Sequence, residues 1–488
     1  MPISFDTIPS ALRVPLAYIE FNNTQAVVGT PALPFRLLVL GQMLATGAAV
    51  ENVPVAIPSY DAAEAQFGRG AQITEMIRAL KANNKFVEVW AMPQADSGAA
   101  VAAEGTLTFG GAPTAAGVIY LYIAGKRLTV AVASGDAVAD IATAVAAAIS
   151  ADTSLPVTAA AALGVVTVTA RNGGENGNDI DLRLNYYTGE ALPAGLTCAI
   201  VDMADGAGNP DITNAIAAMG DEWYQGVVMP YTDDANLVLL EAEMVDRTSG
   251  TRMIDGMAYA AYRGNYSAAQ SFGDGRNSPH VTALGTNLAP QPPYIWAAAY
   301  AAQAAASLSI DPARPLQTLV LKGIMPPAKT VQWQQSERNL LLYDGIATHY
   351  VDAGGQVRIE RAITMYQENA FGVAASSYLD VTTLAALSYL RYSLRARITQ
   401  KFPRHKLADD GTNFGAGQAI VTAKTIRAEL VALAREWENK GLVENLDQYK
   451  DELIVERNAD DPNRLDVLAP PDLVNQLRVF AAQVQFIL

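Results

Sequence analysis

The sequence predicts a multidomain α/β chain, α+β when taken as a whole, in which a β-rich domain interrupts an α/β domain and extended strands stand at both ends. Three observations carry this. Short apolar runs alternate with helical spacing between residues 36 and 91, the strand, helix, strand order that builds a parallel sheet. The composition then shifts over 97–205, where Ala, Gly, Thr and Val dominate and alternating runs replace the earlier pattern. The first texture resumes from 211 onward. The length agrees, because 488 residues exceed one core and suit roughly two to four domains of ~150 residues.

The first thirty residues are punctuated by Pro2, Pro9, Pro15 and Gly29 and carry one strand-like run, Ala17-Tyr18-Ile19-Glu20-Phe21. They read as an extended arm, 1–30, too short to fold alone. Strands follow at Arg36-Leu37-Leu38-Val39-Leu40 and Val53-Pro54-Val55-Ala56-Ile57. Ile73, Met76, Ile77 and Leu80 fall at helical spacing within 60–83, and a strand is expected over 86–91. The insert, 97–205, holds ten acids against four bases, and five alternating runs surround one Ala-rich helix at 136–151. The α/β core therefore comprises 31–96 and 206–345. Within it, helices are expected at 211–219, 233–246, 267–272 and 294–308, with strands at 227–229 and 256–262. A carboxy-terminal α+β domain, 346–474, opens with a hairpin turning at Gly354-Gly355 and continues with helices at 380–401 and 419–440. Short strands at 452–456 and 464–468 precede a last extended strand, 475–488.

The charge balance narrows function. Thirty-four bases against 49 acids leave a net charge of −15, which argues against a general binder of nucleic acid. The longest uncharged stretch, 281–310, contains three prolines, and its helical part is mostly Ala; it suits close packing better than insertion into a membrane. The single Cys198 forbids an intrachain disulfide and fits assembly in a reducing cytosol. The amino terminus has neither the basic nor the apolar region of a secretory signal.

No catalytic constellation is legible. The chain has no P-loop, no Gly-x-Ser-x-Gly elbow, no HExxH and no paired CxxC, so no enzyme activity, metal or cofactor is expected. His280, His349 and His405 are widely separated and read as surface or interface residues, and Cys198 reads as a small buried hydrophobe. The Asn- and Gly-rich 170–180 stretch lacks the ligand spacing of a calcium loop and reads as a tight turn between strands. One feature opposes the acidic balance: Arg391, Arg395, Arg397, Lys401, Arg404 and Lys406 place six cations in sixteen residues with no acid among them. A helix C-terminus accounts for one or two of these through its dipole; six point to an acidic partner surface.

Two terminal strands, an acidic body and no catalytic set suit a self-assembling subunit, because an unpaired strand can add to the sheet edge of a neighbour. Several stretches resemble one family. Val14-Pro15-Leu16-Ala17-Tyr18-Ile19-Glu20-Phe21 is similar to the Pro-Gly-Val-Tyr-Ile-Glu strand of tail sheath proteins of Mu-like contractile-tailed bacteriophages, with Leu16-Ala17 in place of Gly-Val. Residues 53–59, Phe67-Gly68-Arg69-Gly70 and residues 83–90 resemble the family's first α/β stretch, and 170–180 its Ala-Arg-Asn…Gly-Asn-Asp-Ile signature.

The resemblance implies a subtilisin-like middle domain, a name for topology; no Asp/His/Ser set accompanies it and no protease is inferred. It further implies stacked hexameric rings around a tail tube, with the insert facing outward and a metastable lattice whose shortening drives the tube through a host envelope. Ala17, Tyr18, Ile19, Glu20 and Phe21, with Val479, Phe480, Val484 and Phe486, would complete sheets in neighbouring copies, and the six cations would face the tube. The implied partners are further copies of the chain and the tail tube, baseplate and tail terminator proteins, with no nucleic acid and no membrane insertion. The implied location is the virion tail, after assembly in the host cytoplasm. Two other classes stay open: another tail or baseplate component, against which the length speaks, and an unrecognised α/β enzyme, which convergent carboxylates in a pocket would favour.

Overall fold

A computed structural model describes residues 8–9, 11–15, 17–20, 34–415 and 417–487; of the predicted terminal strands, Phe21 and Leu488 lie outside the described residues. The chain forms two compact units. The first is Pro34–Ala385; the second comprises the described residues before Pro34 and those from Ala386 onward.

The first unit opens with β1 (Arg36–Gln42), β2 (Val55–Ala56), α1 (Tyr60–Phe67), α2 (Gln72–Asn83) and β3 (Glu88–Gln94). The single helical pattern read over 60–83 is thus two helices. Gly68 and Gly70 take φ of 90° and 79°, which end α1 and redirect the chain. Ser59 caps α1, its side chain accepting from the Ala62 N–H at 3.2 Å. The insert follows as β4 (Glu104–Gly111), β5 (Gly117–Ile123), β6 (Lys126–Val132), α3 (Val138–Ala151), β7 (Val157–Ala162), β8 (Val165–Ala170), β9 (Leu182–Leu184) and β10 (Leu196–Ala204). The α/β run then resumes with α4 (Thr213–Met219), β11 (Gly226–Val228), α5 (Asp234–Arg247), β12 (Met257–Tyr262), α6 (Tyr266–Asp274), β13 (Val281–Gly285), α7 (Pro293–Leu308), α8 (Gln335–Tyr343), β14 (Ile346–Val351) and β15 (Val357–Arg361).

Eight strands make the main sheet in the order β15-β14-β13-β12-β11-β1-β3-β2. The six from β14 to β3 run parallel, and the outermost two are antiparallel to their neighbours. In register, Leu38 stands between Val227 and Trp90. Helices cover both faces, so the central strands are apolar throughout rather than alternating, and Leu37, Leu38, Val39 and Leu40 are all buried. Fourteen of the sixteen residues of α7 are buried, which explains its Ala-rich sequence: small side chains let α2 and β12 approach closely on several sides.

The predicted boundary at 346 is corrected. The hairpin β14/β15 extends the main sheet rather than opening a separate domain, because Ile346 and Ala347 pair with Ala283 and Leu284. The insert has its own apolar cluster, including Phe109, Ile119, Val145, Ile149 and Val168, beneath two antiparallel sheets ordered β10-β4-β8-β7 and β6-β5-β9. The turn read over 170–180 is also corrected. It does not close a hairpin: a single helical turn at Glu175–Asp179 carries the chain from β8, paired with β4 and β7, across to β9, paired with β5.

Helix α9 (Val381–Lys401) leads into the second unit, followed by β16 (Lys406–Leu407), β17 (Ile420–Val421), α10 (Ala423–Asn439), β18 (Val443–Glu444), α11 (Leu446–Glu452), β19 (Ile454–Arg457), β20 (Leu465–Leu468) and β21 (Asp472–Leu473). Among the described residues its strands form two-stranded sheets, β16-β17, β18-β21 and the hairpin β19-β20. Trp437 on α10 anchors the unit, its indole N–H donating to Ser393 Oγ of α9 at 2.8 Å in a buried bond.

Candidate functional site

The terminal segments are placed by what they fail to bury. Residues 474–487 lie outside every strand and helix, and Leu477, Val479, Phe480, Val484, Phe486 and Ile487 are 74–99% exposed. In an extended chain Phe480, Ala482, Val484 and Phe486 share one wholly apolar face, while Gln483 and Gln485 interrupt Val479, Ala481 and Ile487 on the other. Such a segment suits burial of one face and partial cover of the other. At the other end Tyr18 and Ile19 are exposed, and Ala17 to Glu20 carry no strand. Tyr18 Oη donates to the Val14 carbonyl at 3.3 Å.

The cationic stretch is less open than its sequence suggests. Arg397 is 6% exposed and reaches two acids of α10, bonding Glu429 at 2.8 Å and also Glu436; Lys401 meets Glu429 at 2.6 Å. The reading of six cations without counter-charge is therefore corrected at these two positions, because the acids lie on the packed helix rather than in the run. For Glu429, burial pulls the carboxyl upward, yet bonds from Lys401 and Arg397 win and hold it below the usual range. Lys406 donates to Gln418 Oε1 at 3.0 Å, Arg391 is half-buried, and Arg395 and Arg404 are exposed.

A polar junction that sequence reasoning missed fixes the insert to the core. Asp96 accepts from Gln42 Nε2 at 2.8 Å, Asn172 Nδ2 at 3.0 Å and the Gly173 N–H at 2.8 Å, while Asn172 Oδ1 accepts from the Gln72 N–H at 3.1 Å. Two ion pairs add to it. Lys126 of β6 meets the buried Glu75 of α2 at 3.0 Å, and Asp181 meets Arg263 at 3.0 Å. Burial lowers the Lys126 ammonium pKa, with the Glu75 charge opposing. The available signal was polar residues at the ends of apolar strands, Gln42 and Gln94, both buried.

The histidines and the cysteine lie apart from one another among the described residues. His280 and His349 are buried within the subunit, where their spacing suggested surface or interface residues; His405 is exposed. His349 Nδ1 bonds the Gly285 carbonyl at 2.9 Å and lies 4.8 Å from Trp296, and burial lowers its pKa to about 4. Cys198 is half-buried, and desolvation pushes its thiol up to about 11, far from a reactive thiolate. Among the described residues no group of three or more His, Cys, Asp or Glu could hold a metal, and no helix is long and apolar enough to cross a membrane.

Residues 205–365 match the family model for the phage tail sheath protein central domain, and 373–487 the one for the phage tail sheath C-terminal domain. The Mu-like prophage FluMu tail sheath protein of Haemophilus influenzae is 49% identical over 488 residues, covering all of both chains. Among solved structures, a sheath tail protein from Desulfitobacterium hafniense matches with a TM-score of 0.50 and 13% identity, over 94% of this chain and 97% of that one. A chain of the six-fold symmetrised anti-feeding prophage baseplate matches with a TM-score of 0.50 and 9% identity, over 98% of this chain and 100% of that one. These distant structures share the mixed α/β fold, and the relative aligns over the whole chain: the chain belongs to the phage tail sheath family, as a structural component of the phage tail.

Proposed function

We propose that the chain is the repeating subunit of a contractile sheath, polymerising as stacked hexameric rings around a tail tube and shortening to drive that tube through the host envelope. The observation that carries this is the exposed terminal segment 477–487, one face of which is wholly apolar when extended. Burying one large apolar side chain contributes about 1.5–3 kcal/mol, so six of them favour a neighbour's interior strongly. The six-fold symmetrised baseplate that contains a chain of this fold supports rings of six.

The role is mechanical rather than enzymatic. With no nucleotide motif in the sequence, the work of contraction comes from a free-energy gap between two packings of the same subunits. Arg391, Arg395, Arg404 and Lys406 are the tube-facing candidates, while Arg397 and Lys401 hold α9 to α10. Assembly takes place in the host cytoplasm, with the tube, baseplate and terminator proteins as partners.

Negative-stain microscopy of the full chain tests the reading, with striated hollow cylinders as the expected result. Removal of residues 477–488 should leave a folded, monomeric subunit. Cylinders from the truncated chain would overturn the strand-exchange mechanism.

A further inference from the structure

We propose that the insert is a second adhesive element between copies: the β7 edge of one copy pairs, antiparallel, with the β10 edge of the next. This rests on the sheath reading, since it places the contact within the same polymer.

An open sheet edge is a hazard that chains blunt with charge, proline, bulges or brevity. Among the described residues every other edge strand obeys this. β6 carries Lys126 and Arg127, β9 carries Arg183, and β15 carries Arg358, Glu360 and Arg361; β2 is two residues long. In the second unit β16 carries Lys406, β18 Glu444, β19 Glu456 and Arg457, β20 Asp466 and β21 Asp472, and β17 is two residues long. The four-stranded sheet of the insert breaks the rule at both ends. β7 reads Val-Thr-Ala-Ala-Ala-Ala, pairs with β8 without a bulge, and ends in the exposed Ala160, Ala161 and Ala162. β10 reads Leu-Thr-Cys-Ala-Ile-Val over 196–201, and its irregularity and its one acid, Asp202, come only after Val201. The two uncharged stretches are each six residues long, in a domain that otherwise holds ten acids against four bases.

Strand polarity makes the two edges complementary. Every step across β10-β4-β8-β7 is antiparallel, so β7 and β10 run in opposite directions. A copy displaced along the hydrogen-bonding direction, without reversal, therefore presents its β10 antiparallel to β7. That contact is heterologous, joining different surfaces, which is the kind that propagates into rings and helices. A β7-to-β7 contact would need a two-fold axis instead. One register that matches the faces sets Ala160 opposite Ala199 on the outward side and Ala161 opposite Cys198 on the inward side. The junction at Asp96, Asn172, Lys126 and Arg263 holds the insert fixed on the core, so every copy offers both edges in one orientation.

The test uses the full chain carrying Ala161→Cys with the native Cys198. Within one copy the two strands are three spacings apart, about 14 Å, beyond the roughly 7 Å between Cα atoms that a disulfide spans, so only different copies can be joined. Diamide oxidation of assembled cylinders should give a ladder of covalent multimers on denaturing gels, abolished by adding Cys198→Ser. A dimer that persists with Cys198→Ser would show a symmetric β7 contact and overturn the proposal. Cylinders that assemble but yield no ladder would overturn it while leaving the sheath reading intact; no polymer from the unmodified chain would remove both. Hydrogen exchange on the unmodified protein guards against a variant that fails to fold. Amides in 157–162 and 196–201 should be slowed in cylinders relative to free subunits, and unchanged exchange there would overturn the proposal.

Discussion

Two apolar runs have opposite fates in this chain. In β1 the run Leu37-Leu38-Val39-Leu40 is fully buried, with β3 on one side, β11 on the other and helices above and below. The terminal run that includes Val479, Phe480, Val484, Phe486 and Ile487 is almost fully exposed. Both are rich in large apolar side chains, though Gln483 and Gln485 interrupt one face of the terminal run. The difference is whether the chain supplies the neighbouring strands itself or leaves them to another copy, and that places the same hydrophobic driving force inside the fold in one case and inside the polymer in the other.

The largest expected effect separates the two directly. Leu38→Ala should destabilise the soluble subunit by about 2–5 kcal/mol in denaturant unfolding, through lost burial and a cavity. Phe480→Ala should leave that unfolding curve where it is and instead weaken cylinder formation, seen as a raised critical concentration in sedimentation. A Phe480→Ala subunit that melts early would place this side chain in the subunit's own core and break the comparison.

The next effect is set by pH. His349 is neutral in the fold with a pKa of about 4, while the unfolded chain takes up the proton near 6.5, so the unfolded state binds more protons between those values. Stability is therefore full above pH 6.5 and falls as pH drops toward 4, by an order of about 3 kcal/mol. Thermal melts of the native chain and His349→Gln at pH 7 and pH 4.5 check this; the variant should lose part of the pH slope.

A smaller loss is expected at Arg397→Ala. Truncating one member of a buried ion pair costs roughly 3–5 kcal/mol, and the partial exposure of Glu436 brings this site below that range. Unfolding of the soluble subunit measures it. Last come the exposed cations: Arg395→Glu and Arg404→Glu should leave the melting temperature unchanged and reduce co-sedimentation with tail tubes. Equal tube binding would remove these residues from the tube-facing surface.

Much of the fold was legible. The runs at 36–40 and 256–262, the helix at 294–308 and the hairpin turning at Gly354-Gly355 announce themselves by local periodicity and turn chemistry, which depend on residues a few positions apart. Other features were hidden for the same reason. Nothing near Ile346 tells that it joins Ala283, and the run 391–406 reveals neither Glu429 nor Glu436, which lie 28 to 39 positions further along the chain. The burial of His349 depends likewise on Trp296 and Gly285, brought to it by the sheet.

The sequence by itself determined the alternation of strand and helix, the foreign texture of 97–205 and an apolar final segment, because backbone geometry and side-chain period act locally. Only the tertiary structure decided which cations are neutralised, which histidines are dry, how Asn172 locks the insert to Asp96 and which sheet edges stay uncharged and open. Those are properties of neighbours in space, and folding brings such neighbours together from distant parts of the chain.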